Sequence, residues 1–231
     1  MTKLSQAIAL ATAMTAGLVA TTSAQAEVEV AASAAVSNMY LWRGTNLGDP
    51  GVPAISGDLN VSASGAYAGV WTSSGDTAQG QEYDLYVGYG MEAGDVALDI
   101  SYWTYIYPDA DGDDIGDLHE IIASAAFKGA SLGVYYNIDQ DEDEGTDYFY
   151  TTLGYEYEKF SATYGITTFS DTEDKDYSHI DLSYAYNDNI SFTLSQVVSA
   201  DLDEDEFDAA GNAGLDRSPK VVVTYSLPIE L

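Results

Sequence analysis

No cysteine occurs anywhere in the 231 residues, so neither a disulfide nor a thiolate metal or redox centre can be built from this chain. Basic residues are almost as scarce. Seven Lys and Arg stand against 38 Asp and Glu, a formal net charge of −31. That sign argues against nucleic acid and anionic lipid as partners, because both are held through clustered Lys and Arg. Long apolar runs are missing as well. Past Ala26 no stretch approaches the roughly 18 apolar residues that a membrane-crossing helix needs, which excludes a helical membrane protein. Histidine is limited to His119 and His179. Neighbouring strand residues point to opposite faces, so Ser178 with His179, or His119 with Glu120, cannot form a catalytic pair. There is no G-x-S-x-G and no metal-ligand spacing of the zinc type. No enzyme is expected, and no tightly held cofactor.

The first 26 residues read as an export signal. Lys3 supplies the positive start, Ala7 to Ala20 form a short apolar stretch, and Ser23-Ala24-Gln25-Ala26 provides an A-x-A cleavage site before Glu27. The alternative is a buried N-terminal helix. On the export reading, residues 27–231 form one domain in an oxidising compartment, yet without disulfides. A closed barrel supplies stability by another route, since it pairs every strand edge. High acidity would also suit a disordered chain, but the 19 Tyr and the alternating apolar residues argue against that.

The mature sequence divides into short alternating segments with no helical stripe. Twelve strands are expected, with ten as the alternative: 32–43, 54–63, 66–73, 82–91, 95–107, 118–127, 130–138, 147–156, 160–169, 177–186, 190–199 and 219–228. In 82–91, Tyr83, Leu85, Val87, Tyr89 and Met91 share one face and Asp84, Tyr86, Gly88 and Gly90 the other. In 177–186, Ile180, Leu182, Tyr184 and Tyr186 oppose His179, Asp181 and Ser183. Connections alternate strictly. Tight turns at Ser64-Gly65, Glu92-Ala93-Gly94, Lys128-Gly129, Tyr157-Glu158-Lys159 and Asn187-Asp188-Asn189 interleave with polar loops at 44–53, 74–81, 108–117, 139–146, 170–176 and 200–218. In an up-and-down barrel this places all turns at one end and all loops at the other, the pattern of outer-membrane barrels. More than half of the carboxylates lie in those loops. Aromatic residues form two groups, expected as interfacial belts. Tyr40, Trp42, Trp71, Tyr83, Trp103, Tyr107, Phe149 and Phe169 lie toward the loops. Tyr67, Tyr89, Phe127, Tyr155, Tyr157, Phe160, Tyr184 and Tyr186 lie toward the turns. Cross-strand aromatic pairing in a soluble, ligand-binding barrel is the alternative.

These features coincide with a family pattern. Ser37, Tyr40, Arg43 and Gly44, then Gly57, then Gly65-Ala66-Tyr67-Ala68-Gly69-Val70-Trp71, then Glu82-Tyr83-Asp84-Leu85-Tyr86-Val87-Gly88-Tyr89 and Tyr107-Pro108 resemble the TorF-type porins of proteobacteria. The likeness continues more weakly to Lys220-Val221-Val222-Val223. It implies an outer-membrane barrel of porin function, in contact with outer-membrane lipid and lipopolysaccharide, and carries over no solute and no catalytic residue. One departure is the end of the chain. Such barrels finish on an aromatic residue, whereas this chain runs from Tyr225 through Pro228 to Leu231.

Charges within a membrane-spanning wall must face inward, since a basic residue facing lipid at mid-depth costs about 2–4 kcal/mol. The expected lumen-facing residues are therefore Arg43, Asp58, Asn60, Asp84, Asp99, Glu120, Glu156, His179, Asp181 and Lys220. They form either a polar pathway, with Arg43 a fixed positive contact opposite carboxylates, or a self-neutralising plug. Asp109, Asp111, Asp113, Asp117 and Glu120 occupy positions 1, 3, 5, 9 and 12 of a calcium-loop pattern. Asp114 stands where that loop wants Gly, so the alternative is an acidic surface loop that attracts Ca²⁺ or Mg²⁺ loosely, shared with lipopolysaccharide phosphates. The runs around Asp141 and Asp203 read as solvated charge. The expectation for function is passive diffusion of small hydrophilic solutes, with cations favoured by the acidic loops. A non-conducting structural or adhesive barrel is the alternative.

Overall fold

The computed structural model describes residues 28–108, 118–139, 148–170, 176–201 and 215–229; the expected export signal at 1–26 lies outside them. Twelve antiparallel strands close into a barrel: β1 (Glu29–Ser37), β4 (Ala54–Ala63), β5 (Ala66–Asp76), β6 (Gly80–Ala93), β7 (Val96–Ile106), β8 (Leu118–Phe127), β9 (Ala130–Asp139), β10 (Tyr148–Tyr157), β11 (Phe160–Phe169), β12 (Tyr177–Ala185), β13 (Ile190–Ala200) and β14 (Lys220–Ile229). Between β1 and β4 the chain makes a two-stranded hairpin, β2 (Leu41–Trp42) and β3 (Thr45–Asn46), which belongs to no barrel edge. The first strand closes the ring. Its Val36 lies opposite Ile55 of β4 on one side and Tyr225 of β14 on the other. No helix occurs among the described residues.

Alternation puts apolar side chains outside and polar ones inside. On β14, Val221, Val223, Tyr225 and Leu227 are 39–56 % exposed, whereas Lys220, Thr224 and Ser226 are each 7 % exposed. On β12, Ile180 and Leu182 are exposed while His179, Asp181 and Ser183 are buried. Read through the pairing registers, the outward rows of the twelve strands contain no Asp, Glu, Lys or Arg. This polarity is the reverse of a soluble barrel, whose apolar rows point inward.

The turns at one end follow from local chemistry. Ser64-Gly65 and Lys128-Gly129 both hold positive φ at two successive positions, 53° and 87°, then 48° and 87°. That is the two-residue hairpin geometry whose twist matches the flanking strands. At the other end the strands differ from expectation in two places. The first strand stops at Ser37 rather than 43, because the chain turns into the barrel to make the β2–β3 hairpin. The polar loop expected at 74–81 shrinks to three residues, because β5 runs on to Asp76 through a bulge after Ser73. Asp76 Oδ1 then accepts from the backbone N–H of Ala78 and of Gln79, both at 2.9 Å, which closes that turn.

Aromatic rings fill the space inside. Tyr67 and Tyr86 sit on adjacent strands and lie over each other's glycines, Tyr67 against Gly88 and Tyr86 against Gly69. A Cβ at either glycine would overlap a tyrosine ring. Gly57, by contrast, faces outward, and a Cβ there would meet only ordinary contacts at 3.6 and 3.8 Å. Gly88→Ala is therefore expected to destabilise the refolded barrel by about 1–3 kcal/mol, the usual cost of overpacking. Gly57→Ala is expected to change it little. Denaturant unfolding in detergent, followed by tryptophan fluorescence, measures both.

Candidate functional site in the lumen

The β2–β3 hairpin is the device that organises the interior. Trp42 pairs with Thr45, Thr45 Oγ1 donates to the Trp42 carbonyl at 2.7 Å, and Leu47 N–H donates to the Tyr40 carbonyl at 2.9 Å. Its two-residue tip is Arg43-Gly44, with φ of 48° and 84°. Both positions are left-handed, so the glycine is favoured by conformation. It is also required by space, because a Cβ at Gly44 would fall 2.6 Å from the Cβ of His179. The tip thus presses against β12 and holds the Arg43 side chain across the lumen.

Arg43 meets a prepared partner. Its Nη2 donates to both carboxylate oxygens of Glu120, at 2.6 and 2.7 Å, and its Nη1 donates to Tyr148 Oη at 3.0 Å. Tyr105 and Tyr148 hydroxyls donate to Glu120 as well, at 2.7 and 3.1 Å. The two charged side chains are 6 % and 0 % exposed. Aromatic faces surround the guanidinium: Trp42 at 4.2 Å, Tyr150 at 4.4 Å, Tyr135 at 5.2 Å and Tyr148 at 5.5 Å from ring centroid to Cζ. Each face adds cation–π attraction, strongest where water is excluded. Next to Tyr150 runs a chain of polar contacts, Tyr150 Oη to His179 Nε2 at 2.9 Å and His179 Nδ1 to Asp181 Oδ1 at 3.1 Å.

A second group lies on β6. Glu82 accepts hydrogen bonds from Tyr40 Oη at 2.6 Å and Tyr107 Oη at 2.9 Å. Asp84, two residues on, points into the same lumen and is fully buried. Lower in the barrel, Tyr86 Oη donates to Asp58 at 2.8 Å and accepts from Asn60 at 3.1 Å, and Tyr67 Oη lies 2.9 Å from both oxygens of Asp99.

Burial changes along the axis. At the level of Arg43, inward residues such as Asp84, Glu120, His179, Ser73 and Ser195 are fully buried. Toward the tight turns, Asp58, Asn60 and Asp99 are half-buried, and Ser131 and Glu156 are exposed. Inward side chains are therefore buried near the loop end and reach solvent near the turn end.

Asp58, Asn60, Asp84, Asp99, Glu120, Glu156, His179, Asp181 and Lys220 stand on inward rows, in different surroundings, and Arg43 enters from the hairpin. Arg43 belongs to the hairpin tip rather than to a barrel strand. Asp58, Asn60 and Asp99 are tied to tyrosine hydroxyls, Asp181 to His179, and Glu156 stands at the open mouth. Lys220 folds upward. Its Nζ donates to the carbonyls of Asp216 and Ser218 at 2.9 and 3.2 Å and pairs with the Asp216 carboxylate at 3.3 Å. Hydrogen bonds from the Ser218 side chain and backbone hold Asp216 below the usual carboxylate range. Of the calcium-loop pattern, Asp109, Asp111, Asp113 and Asp117 lie outside the described residues, and Glu120 is engaged by Arg43. The expected aromatic belt at the loop end is corrected by the structure. Tyr40, Trp42, Trp71, Trp103 and Tyr107 lie inside the barrel, where the Tyr40 and Tyr107 hydroxyls and the Trp103 indole join the polar network, while Tyr83 and Phe149 face outward. Tyr67 is likewise interior. Outward aromatics do gather at the turn end, among them Tyr89, Phe127, Tyr155, Tyr157, Phe160 and Tyr186.

Tyr105, Tyr135, Tyr148 and Tyr150 were not singled out from sequence, and Glu82 only as part of the family pattern. Strand parity with Asp84 for Glu82, and with Asp99 for Tyr105, was the available signal. A family described as bacterial proteins of unknown function (Gcw_chp) matches residues 21–226. The chain belongs to this family. No curated protein matches it. Within this member the Arg43-Gly44 pair has a physical role, since both residues serve one turn that seats one cation.

Removing one partner of a buried ion pair leaves the other uncompensated. Arg43→Ala is expected to cost about 3–5 kcal/mol, while the double replacement Arg43→Met with Glu120→Leu returns most of that loss. A double-mutant cycle by denaturant unfolding measures the coupling; additive single losses would contradict the pairing.

Proposed function

We propose that this chain is an outer-membrane porin of the TorF type, passing small hydrophilic solutes with a preference for cations, whose resting lumen is shut by the β2–β3 hairpin. The observation that carries the membrane reading is the reversed polarity of the wall, with an uncharged apolar exterior and a polar interior. Ten-residue strands, once tilted, match the hydrocarbon thickness that a bacterial outer membrane presents. A closed ring also leaves no unpaired backbone edge to face lipid. Export through residues 1–26 follows from the same reading. The TorF likeness itself rests on the residue pattern, because the family's description carries no function.

Cation preference follows from the charge of the narrow level. Glu82, Asp84, Glu120 and Asp181 are buried inward carboxylates against the one guanidinium of Arg43, and acidic rings favour cations over anions. The acidic loops add to this at the outer mouth, where divalent ions shared with lipopolysaccharide phosphates fit the same chemistry. Conduction requires Arg43 and its hairpin to leave the centre of the lumen. The alternative reading, a non-conducting structural barrel, is favoured by the same plug if the hairpin never leaves.

Planar-bilayer recording separates them. The refolded mature protein is expected to show rare, brief openings, and a variant with residues 39–47 replaced by a short Gly-Ser link to show long-lived ones. Under a KCl gradient the reversal potential is expected to lie toward that of K⁺. Openings with an anion-selective potential would leave the pore and remove the acidic selectivity. Silence from both proteins, each verified as folded by heat-modifiable gel mobility, would establish the structural barrel instead.

A further inference from the structure

Arg43 compensates one lumenal carboxylate and no more. All the hydrogen bonds described for its guanidinium go to Glu120 and Tyr148. Glu82, 1 % exposed, is left with two tyrosine hydroxyls and no cation among the described residues. Asp84, 0 % exposed, is left with nothing: neither carboxylate oxygen has a hydrogen-bond partner among the described residues. A buried carboxylate in that condition carries a desolvation cost that only a proton or a cation relieves. Two uncompensated carboxylates sit at i and i+2 of one strand face, and both aim into the lumen beneath the plug.

We propose that Asp84 and Glu82 together hold one divalent cation of the Ca²⁺ class in the lumen. A divalent ion matches the charge of the pair. Hard carboxylate oxygens are the ligand type it takes, and Asp84 can bind through both of its oxygens. No third carboxylate or histidine joins a metal-holding group among the described residues, so water completes the shell. Such a site is weak, in the class of extracellular calcium modules at about 10⁻⁴–10⁻³ M. Register partners flank it directly, Trp71 of β5 and Tyr105 of β7, both opposite Asp84. The inference does not require that the lumen conducts.

Terbium is the probe, because it takes calcium's oxygen ligands and is excited by a neighbouring Trp or Tyr. The refolded full barrel, first stripped with chelator, is expected to give tryptophan-sensitised Tb³⁺ emission that Ca²⁺ displaces. Asp84→Asn, nearly isosteric, is expected to lose that emission while keeping its heat-modifiable mobility. Glu82→Gln is expected to weaken it. A variant with Asp109, Asp111 and Asp113 changed to Asn is expected to retain it, which separates the lumen from the loops. Ca²⁺ is also expected to raise the unfolding midpoint of the wild type and not of Asp84→Asn. Emission unchanged in Asp84→Asn overturns the site. So does a folded wild type with neither emission nor a Ca²⁺-dependent midpoint, which would make the neutralising ion a proton.

Discussion

Every barrel strand is hydrogen-bonded on both edges, and that closure decides what each face can hold. Because β1 is paired to both β4 and β14, no row of backbone N–H and C=O groups is left over at the seam. The wall is then free to present a mainly apolar exterior without Asp, Glu, Lys or Arg. The cost is moved inside. Charges and hydroxyls excluded from the outer rows have to be accommodated in a space that twelve strands make only moderately wide. The interior is solved as a small polar core rather than as a water-filled channel of constant bore.

Tyrosine is the residue that makes such a core workable. Its ring fills volume and its hydroxyl donates to a carboxylate, so one side chain meets both demands. Tyr40, Tyr67, Tyr86, Tyr105, Tyr107 and Tyr148 each do this for Asp58, Glu82, Asp99 or Glu120. Glycines on neighbouring strands, Gly69 and Gly88, supply the room. Arg43 completes the arrangement where hydroxyls alone are insufficient. Its planar, delocalised cation accepts aromatic faces and a carboxylate together, which a lysine ammonium does less well.

The wall was legible in the sequence because its code is local. Period-two alternation and turn residues such as Ser64-Gly65 act within a few positions, and most strand limits agree with expectation to within a residue or two. The inward rows follow the same parity, and no Asp, Glu, Lys or Arg stands on an outward row of the described strands. What occupied the lumen was not legible. Residues 38–43 read as the end of a strand and 44–53 as a polar loop, and nothing local says that the pairing partner of Trp42 is Thr45. Nor does alternation distinguish an aromatic in an interfacial belt from one in the interior when it stands near a strand end. Trp71 and Trp103 fall on the inward row by parity, and parity counted from Asp58 and Asp99 would have placed them there. The pairing of Arg43 with Glu120, 77 residues apart, depends on the curl of the sheet.

That long-range dependence has a consequence for assembly. The pocket that receives Arg43 is made by β8, β9, β10 and β12, on strands that come later in the chain, while the hairpin itself follows β1. The receiving surface does not exist until the sheet has curled far enough to bring those strands over the chain's beginning. Seating of the guanidinium thus depends on the curl of the sheet from β4 to β12. It acts as a latch on that curl: a sheet still open keeps its arginine away from Glu120, which then holds only the Tyr105 and Tyr148 hydroxyls.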